Sequence, residues 1–288
     1  MIHWLADPLQ NAFMVRALVA STFIGLTCSV IGVFVVLRNL SFIGDGLAHA
    51  SFAGIVIAYM MKANLYVGGL VVAVLTALGI GSIAKRSELS LDTTIGVLFT
   101  AAFALGVLLM SRARSYSSDL QDFLFGNILG VDRLDIILVV SLAALVLAIV
   151  MLLYKELLFS SFDPVMAQAS GLPTDFLYYL LLVLLAVTII VSLQAAGIVL
   201  VAALLVTPAA TAYQLTTRFG TMMVVSAVVG VVSSIGGLYL SYYLDAASGA
   251  TIVLTATACF FLAMIFSPRR RSLLSAVLAS RRATVRAR

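Results

Sequence analysis

Apolar stretches of about 20 residues recur along the whole chain, separated by short polar interruptions. This length and composition are typical of helices that cross a bilayer, whereas a membrane β-barrel would alternate apolar and polar positions. The pattern predicts an all-α, polytopic transmembrane bundle with nine spans, or with eight if one helix is re-entrant. The predicted spans are residues 12–37, 43–60, 65–84, 92–111, 135–154, 174–193, 196–215, 220–244 and 250–267.

Composition supports the same class of protein. Of the 288 residues, 63% are hydrophobic and 10% are charged, whereas a soluble domain carries roughly a quarter charged residues. We therefore expect a multi-pass protein of the cytoplasmic membrane, with one transmembrane domain over residues 1–267. The segment before the first span lacks a basic run, so no cleaved signal peptide is expected. Cys28 and Cys259 lie within apolar spans and are expected to be packing residues.

The distribution of basic residues predicts the orientation of the bundle. With the C-terminus inside, the inner segments hold twelve lysines and arginines and the outer segments hold five. The positive-inside rule therefore favours an external N-terminus and a cytoplasmic C-terminus. Residues 268–288 carry seven of these arginines beside a few leucines, which predicts a basic amphipathic tail on anionic headgroups. Nucleic-acid binding is not expected, because the arginines adjoin a span and lack interleaved aromatic residues.

The second predicted span begins with the one acid–imidazole pair in the apolar stretches. Asp45 and His49 are four residues apart, which places them on one face of a helix, one turn apart. Ionisable groups in a membrane span are costly, and a carboxylate beside a neutral imidazole supplies half of a site for a divalent transition metal. The alternative is structural: Asp45 would cap the helix and His49 would hydrogen-bond a neighbouring carbonyl.

A polar segment at residues 155–173 is too polar to span a membrane and too long for a tight turn. Asp163 is a capping residue, Pro164 suits the first position of a helix and Gly171 suits its end, so a short cytoplasmic helix is predicted. Such a helix could dock into a soluble partner or could simply connect two spans. Elsewhere, Asp92 is expected to cap the fourth span, and Pro208 is expected to remove a backbone donor within a helix.

Five segments together resemble the integral-membrane permeases of ABC importers for manganese, zinc and iron. They are spread over most of the length of the chain, in the order expected for that family. The segments are GDGLAHASFAG at 44–54, LDTTIGVLFTAAFALGVLL at 91–109, SDLQDFLFGNILGV at 118–131, FDPVMAQASGLP at 162–173 and GIVLVAALLVTPAATAYQL at 197–215.

The resemblance implies a helical bundle related to the permeases of cobalamin and siderophore importers. It implies that Asp45 and His49 bind the metal in the translocation path, and that Asp163, Pro164, Ala167 and Gly171 lie at the contact with the ATPase. It also implies two permease copies, identical or related, on a cytoplasmic ABC ATPase dimer, with an extracytoplasmic metal-binding protein delivering the ion. The chain would hold no permanent cofactor, and Mn, Zn or Fe would be its cargo.

The function predicted from these observations is transport and not catalysis. The sequence contains no Walker A pattern, so a separate subunit is expected to hydrolyse ATP. Two rival transport functions stay open: a permease for a metal chelate or cobalamin-like ligand, and a secondary metal carrier that needs no ATPase. An intramembrane protease is disfavoured, because the sequence has no GxSxG or HExxH motif.

Overall fold

The computed structural model describes residues 7–112 and 128–267. His3, the basic tail at 268–288 and most of the segment at 118–131 lie outside the described residues. Within the described part, eleven α-helices are present. They are α1 (Ala12–Leu37), α2 (Ile43–Met60), α3 (Leu65–Arg86), α4 (Leu91–Arg112), α5 (Arg133–Leu152), α6 (Tyr154–Phe162), α7 (Pro164–Ala169), α8 (Thr174–Ala196), α9 (Ile198–Leu215), α10 (Phe219–Leu244) and α11 (Ser248–Phe266).

Nine of the described helices are long and apolar enough to cross a membrane, namely all except α6 and α7. The predicted all-α bundle is confirmed, and each predicted span corresponds to a helix. The helix α9 is continuous through Pro208. The short helix predicted after Asp163 is α7, whereas α6 was not predicted and begins two residues after α5 ends. The predicted cap at Asp92 is wrong: the Ser90 hydroxyl accepts the Thr93 N–H at 3.2 Å, so Ser90 caps α4.

The interior of the bundle is formed mainly by α1, α2 and α8, while α4, α5 and α11 expose most of their surface. The exposed side chains of these outer helices are largely apolar, as expected for contact with lipid or another membrane chain. Helix α1 packs against α9 and α10, and α2 packs between α3 and α4. Glycine permits close approaches between these helices: a Cβ built on Gly54 of α2, for example, would lie 2.1 Å from the Gly68 carbonyl oxygen of α3.

A sharp turn joins α1 to α2. At the end of α1, Asn39 has φ 56°, its N–H bonds to the Val36 carbonyl, and the Leu40 N–H bonds to the Val35 carbonyl at 2.8 Å. These are the two bonds of a Schellman motif, for which Asn is an accepted left-handed residue. The buried Leu40 then leads directly into α2 at Ile43. We call the side of the bundle that holds this turn the inner side, because the positive-inside rule predicts that it faces the cytoplasm.

Candidate functional site

The first turn of α2 carries Asp45, and the next turn carries His49. The His49 Nε2 and Asp45 Oδ1 atoms lie 3.5 Å apart, and the two side chains are 32% and 50% exposed. The predicted pairing on one helix face is therefore present in the structure. Both side chains are partly accessible among the described residues, so they can bind a ligand or contact another chain.

The structural alternative for this pair is not supported. The residue at the N-cap of α2 is Phe42, which makes no side-chain cap, and Asp45 is the third residue inside the helix. The His49 Nδ1 atom is buried and has no hydrogen-bond partner. Asp45 thus lies where the helix dipole favours a negative charge without acting as the cap, and His49 is not held by a neighbouring carbonyl.

Two glycines explain how α2 can place a carboxylate at this point. A Cβ on Gly44 would lie 2.7 Å from Leu205 of α9, and a Cβ on Gly46 would lie 2.8 Å from Ile95 of α4. The start of α2 therefore fits between α9 and α4 only because the residues on either side of Asp45 have no side chain. The sequence Gly-Asp-Gly is a packing requirement as well as a motif.

Two aromatic rings of α4 lie beside the His49 ring. Its ring centroid lies 5.4 Å from that of Phe103 in an edge-on arrangement and 6.2 Å from that of Phe99. The aromatic contacts cover one side of the imidazole, and Nε2 is the nitrogen that approaches Asp45. Sequence reasoning missed these two phenylalanines, although their four-residue spacing in the fourth span was visible.

The pair has the geometry of a partial metal site. Two ligand atoms about 2.1 Å from one ion would lie between roughly 3.0 and 3.4 Å apart for right-angled to tetrahedral coordination. The observed 3.5 Å is close to this range. Among the residues that the structure describes, no group of three or more His, Cys, Asp and Glu side chains could hold a metal. The pair therefore needs further ligands, such as water or a second chain, to complete a coordination sphere.

The second predicted set of residues lies on α7 and just beyond its two ends, and α7 packs against α6 and α8. The Asp163 carboxylate accepts the Met166 N–H at 2.9 Å, and Pro164 occupies the first turn of the helix. Ala167 is fully buried, and Gly171 has φ 84°, a conformation in which glycine is favoured. All four residues therefore determine the local backbone of the segment. None of them contributes a large side chain to its exposed surface.

Large apolar side chains make the exposed surface of this segment, and sequence reasoning did not single them out. They are Phe162, Val165 and Met166, which are 63%, 76% and 55% exposed. An apolar surface next to a polar connector is typical of a protein contact. The helix α7 has only six residues, which is too short for its hydrophobic periodicity to reveal this apolar surface.

The described residues thus form a bundle with nine membrane-length helices, two ionisable side chains on a buried helix and a short exposed helix between two spans, as expected for a membrane permease. The sequence profile of the ABC 3 transport family matches residues 10–267, and this chain belongs to that family. The family predicted from the five segments is thereby confirmed, as is the multi-pass location in the cytoplasmic membrane.

Individual relatives and solved structures agree with this assignment. The manganese transport system membrane protein MntC of Halalkalibacterium halodurans is 46% identical over 262 residues, which cover 91% of this chain and 90% of that protein. The structure of PsaBC from Streptococcus pneumoniae in complex with Fab superposes with a TM-score of 0.85 and 35% identity, over 96% of this chain and all of the other. A metal-chelate type ABC transporter in an inward-facing conformation shares the fold alone, with a TM-score of 0.71 and 16% identity, over 88% and 85% of the two chains.

Proposed function

We propose that this chain is the permease subunit of an ATP-driven importer, and that its cargo is Mn²⁺. The observation that carries the proposal is the Asp45–His49 pair, which presents one carboxylate and one imidazole from an apolar helix with 3.5 Å between the ligand atoms. The 46% identical relative named as a manganese transport protein supports the choice of ion. A hard oxygen ligand and an imidazole suit Mn²⁺, and they also suit Fe²⁺ and Zn²⁺, which makes these ions the comparison in the test.

We further propose that the site is completed by a second permease chain. One chain supplies two donors, and both are partly exposed. Two copies facing each other would supply two carboxylates and two imidazoles, which is a sufficient set for one divalent ion. This set contains no thiolate, a ligand that would bind a soft metal too tightly for release. Carboxylates and imidazoles would bind the ion and still allow it to dissociate.

The energy for transport would come from partner subunits. The sequence lacks a Walker A pattern, so a cytoplasmic ABC ATPase dimer would hydrolyse ATP, and an extracytoplasmic protein would deliver the metal. The segment Asp163 to Gly171 would contact the ATPase, with Phe162, Val165 and Met166 as its exposed apolar surface. ATP-driven movement of this segment would expose the metal site alternately to the two sides of the membrane.

The two rival transport functions make different predictions. A chelate or cobalamin-like ligand is bulky, so its permease would have no need for Asp45 and His49 to converge on one point. A secondary carrier would move metal in liposomes that contain this chain alone. The structural neighbour from a chelate system is 16% identical, against 35% for PsaBC, so it supports the fold and not the cargo.

Uptake of Mn²⁺ into proteoliposomes that contain the permease, its ATPase and its delivery protein tests the proposal. Replacing Asp45 or His49 with Ala should reduce uptake by at least about tenfold, because loss of even a supporting group costs a metal site 10–100-fold. The matched control is Glu88→Gln, which neutralises an exposed carboxylate in the α3–α4 loop and should leave uptake unchanged. Normal uptake by correctly assembled Asp45→Ala and His49→Ala variants would overturn the site, and a clear preference for Zn²⁺ or Fe²⁺ would overturn the choice of ion.

A further inference from the structure

Arg38, the C-cap residue directly after α1, reaches across the inner side of the bundle to α6. Its Nε donates to the Ser161 hydroxyl at 3.0 Å, and its Nη2 donates to the Ser160 hydroxyl at 3.1 Å. Its guanidinium carbon also lies 5.6 Å from the ring centre of Tyr178 on α8. One side chain thus connects α1 with the last turn of α6, directly before the Asp163 cap of α7.

The two serines are suited to an arginine and to few other partners. Each hydroxyl already donates its proton to the Leu157 carbonyl, at 3.2 Å from Ser160 and 2.6 Å from Ser161. Only their lone pairs are left, so they require a donor. A guanidinium has donors in a fixed fork and no acceptor, and it can satisfy both hydroxyls at once. Burial lowers the pKa of Arg38, yet an arginine stays protonated in proteins, so the donors are retained.

These hydrogen bonds matter because side chains do not fill the space beside them. A cavity of about 470 Å³ separates the α1–α2 turn from the α6–α7 segment, with Leu40, Gln168 and Tyr178 among its walls. On its other side, α6 is attached to α10 through the rings of Phe162 and Phe219, whose centres are 6.1 Å apart. The Phe219 ring also lies 5.3 Å from that of Phe34 on α1, so α6 has an apolar contact with α1 through α10. Arg38 adds a direct polar connection from α6 to the turn that leads into α2.

The turn that follows Arg38 is rigid enough to transmit a displacement. The Schellman bonds of Asn39 and Leu40 and the bond from the Ile43 N–H to the Leu40 carbonyl, at 2.9 Å, fix every step from α1 to α2. Leu40 and Ile43 are fully buried. Asp45 follows two residues after Ile43, so a shift of this turn moves the metal ligand with it.

We propose that Arg38 is a positioning residue that ties the α6–α7 segment to the α1–α2 turn, so that movement of the segment at the ATPase is passed to the helix that carries Asp45 and His49. This inference rests on the proposed function, since it assigns to one residue the link between ATP hydrolysis and the metal site.

Lys85 provides a matched control for charge and location. Its ammonium lies 4.9 Å from the centre of the same Tyr178 ring and lines the same cavity. It pairs with Asp175 of α8 and makes no hydrogen bond to α6 in the part of the chain that the structure describes. Lys85→Gln therefore removes a cation from this cavity without removing the tie.

The test measures Mn²⁺ uptake and ATP hydrolysis in the same proteoliposomes that contain the complete transporter. Arg38→Gln and the double variant Ser160→Ala/Ser161→Ala should each lower the number of ions moved per ATP by about tenfold, the size expected for lost hydrogen bonds to a charged group. Hydrolysis itself should continue. Combining the three substitutions should cause no further loss, because both changes break the same link. Lys85→Gln should keep the wild-type ratio.

The outcomes separate this inference from the proposed function. If the wild type moves Mn²⁺ and the serine variant keeps its ratio of ions to ATP, the tie is refuted while metal transport stands. Additive losses in the combined variant would also refute the tie. An equal loss in Lys85→Gln would refute it too, because the loss would then be a general structural effect of changing this region. If the wild type moves no Mn²⁺, the proposed function fails, and with it the tie that depends on it.

Discussion

Asp45 and His49 show what one sequence can and cannot reveal about a site. Their spacing predicts one helix face, and the structure places Nε2 and Oδ1 3.5 Å apart. The surroundings of the pair come from α4 and α9, about 50 and 160 positions further along the chain, so no local pattern could reveal them. For that reason Phe99, Phe103 and the roles of the two flanking glycines emerged only from the structure.

Phe103 is expected to hold the His49 ring in the orientation that presents Nε2 to the metal. Edge-on aromatic contacts are worth about 0.5–1.5 kcal/mol. Phe103→Leu keeps an apolar side chain but removes the ring contact, so Mn²⁺ affinity should fall by roughly threefold to tenfold. Titration of the purified transporter with Mn²⁺ measures this change.

The control for this substitution is Phe261→Leu. Phe261 forms a similar edge-on pair with Phe260, 5.7 Å between ring centres, on the exposed helix α11. The substitution Phe261→Leu should leave the affinity for Mn²⁺ unchanged. Equal affinities for Phe103→Leu and the wild type would show that the ring does not position His49.

The helices themselves were largely predictable, because a bilayer demands a long apolar stretch for every span. The ends were less so. Ser90 and not Asp92 caps α4, since either residue type can accept an N–H and only the local backbone decides between them. Helix α6 was missed because its nine residues are too few and too mixed in polarity to give a pattern. The distance between two helices is also invisible in a sequence read one span at a time.

The contact between α2 and α3 gives a test of such a distance. Gly54→Ala would place its Cβ 2.1 Å from the Gly68 carbonyl oxygen, so the two helices must separate. Overpacking of this kind costs about 1–3 kcal/mol, and the variant should unfold at a lower temperature. Thermal unfolding of the purified permease in detergent measures the loss.

Gly96→Ala is the matched control, because a Cβ at this position of α4 meets no atom within 4 Å. There the substitution should be neutral or stabilise the helix by about 0.5–1 kcal/mol, since alanine restricts the unfolded backbone more than glycine does. Equal unfolding temperatures for the two variants would rule out a tight α2–α3 contact.

The number of permease chains in the transporter cannot be observed directly in one sequence or in the structure of one chain. Asp45 and His49 are only a pair, and the described residues of one chain contain no group of three His, Cys, Asp or Glu side chains that could hold a metal. Both side chains of the pair are accessible, and α4 beside them exposes an apolar face. An isolated chain would therefore leave costly ionisable groups open to lipid, whereas a second permease chain would cover them.

The proposed sharing of one site by two permease chains would fix how many ions the assembled transporter binds. Four protein ligands are enough for one divalent ion, so equilibrium dialysis of the purified two-permease complex should find one Mn²⁺ per two permease chains. His49→Ala should weaken the binding of this ion by at least about tenfold, because removing the imidazole from each copy leaves only two of the four protein ligands. At a Mn²⁺ concentration that just saturates the wild type, this variant should therefore hold little of the ion. Absorption spectroscopy at the manganese edge should detect nitrogen ligands in the wild type. One ion per chain, or an unchanged ion count in His49→Ala, would mean that each protomer completes its own site and that the two pairs never converge.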